Sequence, residues 1–243
     1  MTIKIILASI IPLLPLLPLT IFMVKDNGQI KTIGLFSLIF FSYRMILKLP
    51  TQIEELQIVH GQLNWTGKLF GILFGTLMYL LLRRRLKPFT FLQFKQKAES
   101  LKSTMLITII ITCISFLAYF DTSEPFDIET LLFQLTMPGF DEEIMFRGVL
   151  LGLLLTCFKD KIIIRGKDFG SPSVLFIGLL FGLAHGLAVT DNLSIKFELY
   201  PFLGTFVLGY VWSWVTVESK SILQSVLSHS LSNFIMNIVR MTK

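Results

Sequence analysis

The sequence contains few charged residues for its length. Asp, Glu, Lys and Arg make up 16% of the 243 residues, whereas soluble domains carry about a quarter. Cysteine is also scarce, and both Cys113 and Cys157 lie in apolar segments, so the chain has no disulfide framework and no cysteine-based metal motif. No phosphate-binding loop or dinucleotide fingerprint is present. The composition therefore argues against a soluble domain, a disulfide-rich protein and a nucleotide-binding enzyme.

Long apolar runs are abundant instead. Hydrophobic residues make up 53% of the sequence, and the mean hydropathy is +0.72. Runs of about 18 or more residues with few charges predict membrane-spanning helices. We therefore predict an all-α, polytopic membrane protein with about eight transmembrane helices. The predicted spans are 3–24, 33–49, 65–82, 105–120, 131–158, 174–189, 200–217 and 222–239.

Basic residues are distributed unevenly among the loops. Segments 83–102 and 159–168 are the basic ones, and because cytoplasmic loops are enriched in Lys and Arg, we predict that both face the cytoplasm. Arg44 and Lys48 depart from this rule, since the predicted order of spans puts them at the outer side. The net charge of +6 is explained by this asymmetry and by contact with the lipid bilayer, and we expect no nucleic-acid partner. The apolar spacing in 91–101 predicts an amphipathic interfacial helix.

Charged residues interrupt the fifth predicted span, where a charge at mid-bilayer costs roughly 3 kcal/mol. Glu143 and Arg147 are four residues apart, so they lie on one helical face as an ion pair. Glu142 points about 100° away from Glu143 and has no such partner within the helix. A structural ion pair explains Glu143 and Arg147 as well as a functional role does, but it explains Glu142 poorly. The Pro-Gly dipeptide at 138–139 predicts a helix break just before these acids.

Two of the three histidines also lie within predicted spans. His185 is in the sixth span and His229 in the eighth. His229 shares a helical face with Asn233, and Ser225 and Asn237 extend that face by one turn each way. Such a polar face must look into the protein interior or into a wet cavity. Hydrogen bonding between helices explains the serine well but the histidine poorly.

Three motifs, each in its own span, together resemble one protein family. The matching residues are, in chain order, Glu142, Glu143 and Arg147, then Phe181 and His185, then His229 and Asn233. The family is the CPBP group of intramembrane proteases, which includes type II CAAX prenyl endopeptidases and bacteriocin-immunity-associated proteins. Residues 1–100 contribute only a compatible topology. We therefore divide the chain into an N-terminal transmembrane region with a basic cytoplasmic loop, 1–100, and a CPBP-like catalytic transmembrane core, 101–243.

The resemblance implies a glutamate-dependent intramembrane endopeptidase with its active site inside the helix bundle. Glu142 would act as the general base and, with His185, would orient and activate the attacking water. His229 and Asn233 would donate hydrogen bonds to the oxyanion. The supporting positions would be Glu143, Arg147 and Phe181. The expected substrate is a membrane-embedded or lipidated peptide or protein, and the expected location is a bacterial cytoplasmic membrane.

A zinc-dependent variant of this chemistry stays open, because the family is often labelled as metalloproteases. Glu142, His185 and His229 would be the ligands, with an open fourth position. The His-Glu-x-x-His motif, by which soluble zinc proteases are recognised, is absent from the sequence, so we favour a site without a cofactor.

Two other classes of function also remain. A non-catalytic immunity or scaffold factor of the same fold would be expected to have decayed motifs, and here the motifs are intact. A proton-coupled transporter would also place Glu and His within spans, but paired broken spans in two matching halves are absent. The sequence leaves the substrate and the oligomeric state open.

Overall fold

A computed structural model describes residues 3–243 and shows an all-α bundle with two small hairpins in its loops. The first half contains α1 (Ile3–Ile10), α2 (Leu17–Met23), α3 (Ile30–Lys48), α4 (Trp65–Leu82) and α5 (Leu101–Ser115). The second half contains α6 (Ile128–Glu143), α7 (Leu151–Cys157), α8 (Pro172–Gly186), α9 (Leu199–Ser219) and α10 (Leu223–Thr242). The antiparallel hairpins pair β1 (Ile163–Ile164) with β2 (Lys167–Asp168), and β3 (Leu187–Val189) with β4 (Ile195–Phe197).

Four helical stretches are long and apolar enough to cross a membrane. They are Ile3–Met23, Ile30–Thr51, Trp65–Leu82 and Ala98–Phe120. Many apolar side chains on these stretches point outward, as Leu73 does with 66% of its surface exposed, which suits contact with lipid. Helix α8 is apolar but only 15 residues long. The all-α integral membrane fold is thus confirmed, and the number of eight spans stays a prediction.

The two basic segments lie at the same end of the bundle, which we call the basic end. Segment 159–168 adjoins the end of α2, and segment 83–102 adjoins both the start of α3 and the turn between α9 and α10. The connecting hydrogen bonds are Lys159 N to Met23 O (2.8 Å), Arg85 to the Thr32 hydroxyl, and Lys97 N to Ser219 O (2.9 Å). The positive-inside rule assigns this end to the cytoplasm.

The predicted amphipathic helix over 91–101 is wrong. Residues 90–97 are irregular, and α5 begins only at Leu101. Phe91 is fully buried in the core, and its carbonyl accepts a hydrogen bond from the backbone N–H of Ile222 at 3.0 Å. Because burial of this large ring against neighbouring helices outweighs local periodicity, the segment folds back onto the bundle.

The predicted helix break at Pro138 is also wrong. Helix α6 continues through Pro138 and Gly139 to Glu143, and a π-helical turn, Ile144–Leu150, follows. The acids therefore lie at the carboxyl end of α6 rather than at a helix start. Helix α10 packs along α6, and a β-carbon at Gly139 would overlap the Ser230 hydroxyl. The small residue thus allows close packing that stabilises the helix despite the proline.

Candidate active site

Five helices, α4, α6, α8, α9 and α10, surround a cavity of about 360 Å³. Four of the residues that line it are those to which the resemblance assigns catalysis. Glu142 comes from α6, His185 from α8, and both His229 and Asn233 from α10. Side chains that are up to 91 positions apart in the sequence therefore face one space, whose remaining wall is mostly apolar and aromatic.

Glu142 and His185 face each other across a short gap. The Nε2 atom of His185 lies 3.8 Å from Oε2 of Glu142, which is too long for a direct hydrogen bond. The Nδ1 atom of His185 lies 2.8 Å from the carbonyl oxygen of Phe181, so Nδ1–H donates to that carbonyl and Nε2 is left as an acceptor. A water molecule about 2.8 Å from both Nε2 and Oε2 fits the gap.

Glu142 has an ion-pair partner that the sequence analysis missed. The ammonium group of Lys68 lies 2.6 Å from Oε1 of Glu142 and 2.8 Å from Oδ2 of Asp141. Tyr43 donates a third hydrogen bond, at 2.8 Å, to the same Asp141 oxygen. The side chain of Lys68 is only 14% exposed and that of Asp141 is fully buried. Lys68 therefore fixes one carboxylate oxygen of Glu142 and leaves the other facing His185.

A glycine face on α4 brings Lys68 to this position. Gly67, Gly71 and Gly75 recur every four residues beside Lys68, which is the only charged residue of α4. A β-carbon at Gly71 would overlap the carboxylate of Asp141, so α4 can approach α6 this closely only with glycine there. A lone lysine beside a small-residue face within a predicted span was the sequence signal that could have revealed this contact.

The predicted ion pair between Glu143 and Arg147 is confirmed and has a third member. Arg147 Nη1 lies 2.9 Å from Glu143 Oε1, and both side chains are fully buried. The Nδ1 atom of His229 lies 2.9 Å from the same oxygen. The indole ring of Trp212 stacks on the imidazole, with ring centroids 4.2 Å apart. These contacts fix the orientation of His229 and leave its Nε2 atom to face the cavity.

Further contacts hold the remaining motif residues. Asn233 Nδ2 donates to Gln134 Oε1 at 3.1 Å, and Gln134 also lines the cavity although the sequence analysis did not select it. The guanidinium carbon of Arg147 lies 4.7 Å from the ring centre of Phe181. Phe181 therefore contacts the ion pair through its ring and His185 through its carbonyl. Ser225, by contrast, bonds to Thr216 outside the cavity lining.

The side chains present do not form a ready zinc site. Among residues 3–243, no group of three His, Cys, Asp or Glu side chains is arranged to hold a metal ion. Glu142, His185 and His229 line one cavity. However, the Lys68 ammonium already forms an ion pair with Oε1 of the Glu142 carboxylate. A divalent cation on this carboxylate would lie next to a second positive charge, which is electrostatically unfavourable.

Comparison with known protein families gives a match over part of the chain. A family model described as "Rce1-like: Type II CAAX prenyl endopeptidase Rce1-like" matches residues 124–235. The match includes all three motifs, whereas Lys68 lies outside it. It falls inside the predicted core 101–243, and the division of the chain at residue 100 stays a prediction. No curated protein and no solved structure matches the chain.

Proposed function

We propose that this membrane protein hydrolyses a peptide bond within the membrane, because its residues 124–235 match the family model of Rce1-like type II CAAX prenyl endopeptidases. The observation that supports the proposal most directly is the gap between Glu142 and His185, which fits one water molecule beside a carboxylate oxygen. The substrate would be a membrane-embedded or lipidated peptide or protein, because the cavity lies within an apolar helix bundle.

Glu142 would act as the general base in the first step. Oε2 would take a proton from the water held between it and Nε2 of His185, as the water oxygen forms a bond to the carbonyl carbon. The carbonyl electron pair would move to the carbonyl oxygen, giving a tetrahedral oxyanion. Lys68 would keep Oε1 in place, so that Glu142 presents one defined oxygen to the water.

His229 and Asn233 would stabilise the oxyanion. Nε2 of His229 can donate to an oxyanion only if both ring nitrogens carry a proton, because Nδ1–H already donates to Glu143. The buried Glu143 carboxylate, which also pairs with Arg147, would offset part of this positive charge, and the oxyanion itself would neutralise the rest. When the intermediate collapses, the oxyanion would re-form the carbonyl, the C–N bond would break, and Glu142 would return its proton to the leaving amine.

The proposal can be tested without a known substrate by comparing cells that differ only in this protein. The membrane proteome and peptidome are compared between cells that carry the wild type and cells that carry Glu142→Gln at equal protein level. Glu124→Gln is the matched control, because Glu124 is an exposed acid outside the cavity. We expect a peptide or a trimmed membrane protein in wild-type and Glu124→Gln cells that Glu142→Gln cells lack. Identical profiles in all three would indicate a non-catalytic member of the fold.

A further inference from the structure

A second cavity lies at the end of the bundle opposite the basic end. Its volume is about 450 Å³, and it lies between α1, α3 and strand β3. Three of its lining residues, Lys4, Arg44 and Lys48, are basic, and none is acidic. They come from two helices that pack together. The positive charge is unusual for this end, where the loops carry more acidic residues than basic ones.

The positive charge of this cavity is only partly neutralised. Asp191 pairs with Lys4 at 2.6 Å, but the Asp191 side chain is 98% exposed, so the pairing is weakened by solvent. Arg44 donates to the carbonyl oxygen of Ala8 at 3.2 Å, and its Nε atom is buried without a hydrogen-bond partner among residues 3–243. Lys48 has no ion pair within the same described range. The cavity thus presents cationic donors to an acceptor from outside the chain.

We propose that this cavity binds the phosphate of an anionic phospholipid headgroup. Guanidinium and ammonium groups bind phosphate through charge-assisted hydrogen bonds. Basic pockets between transmembrane helices bind lipid headgroups in this way on the cytoplasmic side, and this cavity would be a counterpart at the opposite end. The volume lies within the roughly 300–1,000 Å³ range of small-molecule sites. Ile3 and Ile6 of α1 are 63% and 38% exposed beside Lys4, so acyl chains would lie along this apolar surface while the phosphate fills the cavity.

A zwitterionic lipid fits this site less well. Its headgroup carries a cation next to the phosphate, and that cation would approach Arg44 and Lys48 within the same cavity. The headgroup of phosphatidylglycerol carries a phosphate and no cation, so the three basic side chains should select it. The selectivity follows from the charges of the cavity and does not depend on catalysis.

Native mass spectrometry of the purified full chain tests this assignment. The protein in detergent is incubated with equal amounts of phosphatidylglycerol and phosphatidylcholine, and retained lipids are counted. Lys4→Gln and Lys48→Gln are compared with Lys196→Gln, which removes an exposed lysine of the β3–β4 hairpin outside the cavity. We expect the wild type and Lys196→Gln to retain phosphatidylglycerol preferentially. Lys4→Gln and Lys48→Gln should each weaken that retention about five-fold, as expected for one basic residue.

Thermal unfolding of the same four proteins is measured as a control. Equal unfolding midpoints would show that weaker lipid retention in a variant does not come from loss of the folded structure. Equal retention of the two lipids by the wild type would overturn the proposal. An equal loss in Lys196→Gln would do the same, since it would show a general surface charge effect. Stabilisation by inorganic phosphate, with no preference between the lipids, would reassign the cavity to a soluble anion and overturn the lipid assignment.

Discussion

Lys68 and Glu142 form an ion pair of 2.6 Å between α4 and α6, and this pair lies in the wall of the candidate active site. The lysine belongs to the N-terminal half of the chain, outside the segment that matches the family model. The glutamate belongs to the first family motif. The proposed general base is therefore oriented by a residue that its own motif does not contain.

Replacing Glu142 by Gln should abolish cleavage with little change in yield. Glutamine keeps the size of the side chain and can still accept a hydrogen bond from Lys68, but it cannot take a proton from water. We expect a loss of roughly 100-fold to 10,000-fold, the usual contribution of a general base. The measurement is the turnover of the peptide found in the cellular comparison, together with the unfolding midpoint. Unchanged turnover would remove Glu142 from the mechanism.

Replacing Lys68 by Met should lower both activity and stability. Asp141 and Glu142 would lose their common counter-ion in a site that is largely closed to solvent, and breaking a buried pair costs about 3 to 5 kcal/mol. Misplacement of the Glu142 carboxylate by about 1 Å would lower turnover roughly 100-fold. The measurements are turnover and thermal unfolding in detergent.

The double variant Lys68→Met/Asp141→Asn separates these two effects. It removes one buried carboxylate together with the ammonium, so we expect part of the stability to return. Activity should stay low, because Glu142 still lacks the group that holds Oε1. Recovery of activity together with stability would mean that Lys68 has a structural role only.

Replacing Arg147 by Ala should reduce protein yield. Glu143 would become a fully buried carboxylate that keeps its hydrogen bond with His229 but has lost its guanidinium partner, and the expected loss of unfolding free energy is about 3 to 5 kcal/mol. Arg240→Ala is the control, because the pair of Arg240 with Asp121 is partly exposed and worth at most about 1 kcal/mol. Similar yields of the two variants would contradict the assignment of Arg147 as the buried counter-ion.

Replacing Gly71 by Ala should disturb the site, whereas Gly34→Ala should not. A β-carbon at Gly71 would overlap the Asp141 carboxylate, while a β-carbon at Gly34 meets no atom within 4 Å. We expect Gly71→Ala to cost about 1 to 3 kcal/mol and to lower turnover. Gly34 lies within α3, so Gly34→Ala should stabilise by about 0.5 to 1 kcal/mol. Equal effects on unfolding would show that α4 does not approach α6 this closely.

Chelation should leave cleavage unchanged. The Lys68 ammonium beside Glu142 disfavours a divalent cation at this carboxylate, so the purified active protein should contain no stoichiometric zinc. Elemental analysis and turnover after chelator treatment measure this together. One zinc per chain, whose removal abolishes turnover and whose return restores it, would establish the zinc-dependent alternative with Glu142, His185 and His229 as ligands.

The motif residues of the site could be selected from the sequence because their chemistry conflicts with their surroundings. Glu142, His185 and His229 are polar residues in apolar runs, and a polar group within a membrane bundle must face a partner or a cavity. The pairing of Glu143 with Arg147 follows from the four-residue spacing of a helix. Their assignment to one reaction rests on the resemblance, and the catalytic roles remain predictions.

What the sequence determined by itself is local: the apolar runs that form helices, the basic composition of two loop segments, and the i,i+4 ion pair. Each depends on neighbours within a few turns. The tertiary structure decided which helices meet. It paired Lys68 with Glu142 and His229 with Glu143, carried α6 through Pro138, and buried Phe91 instead of placing it in an interfacial helix. These outcomes depend on contacts between segments far apart in the chain, whose packing outweighs local propensity.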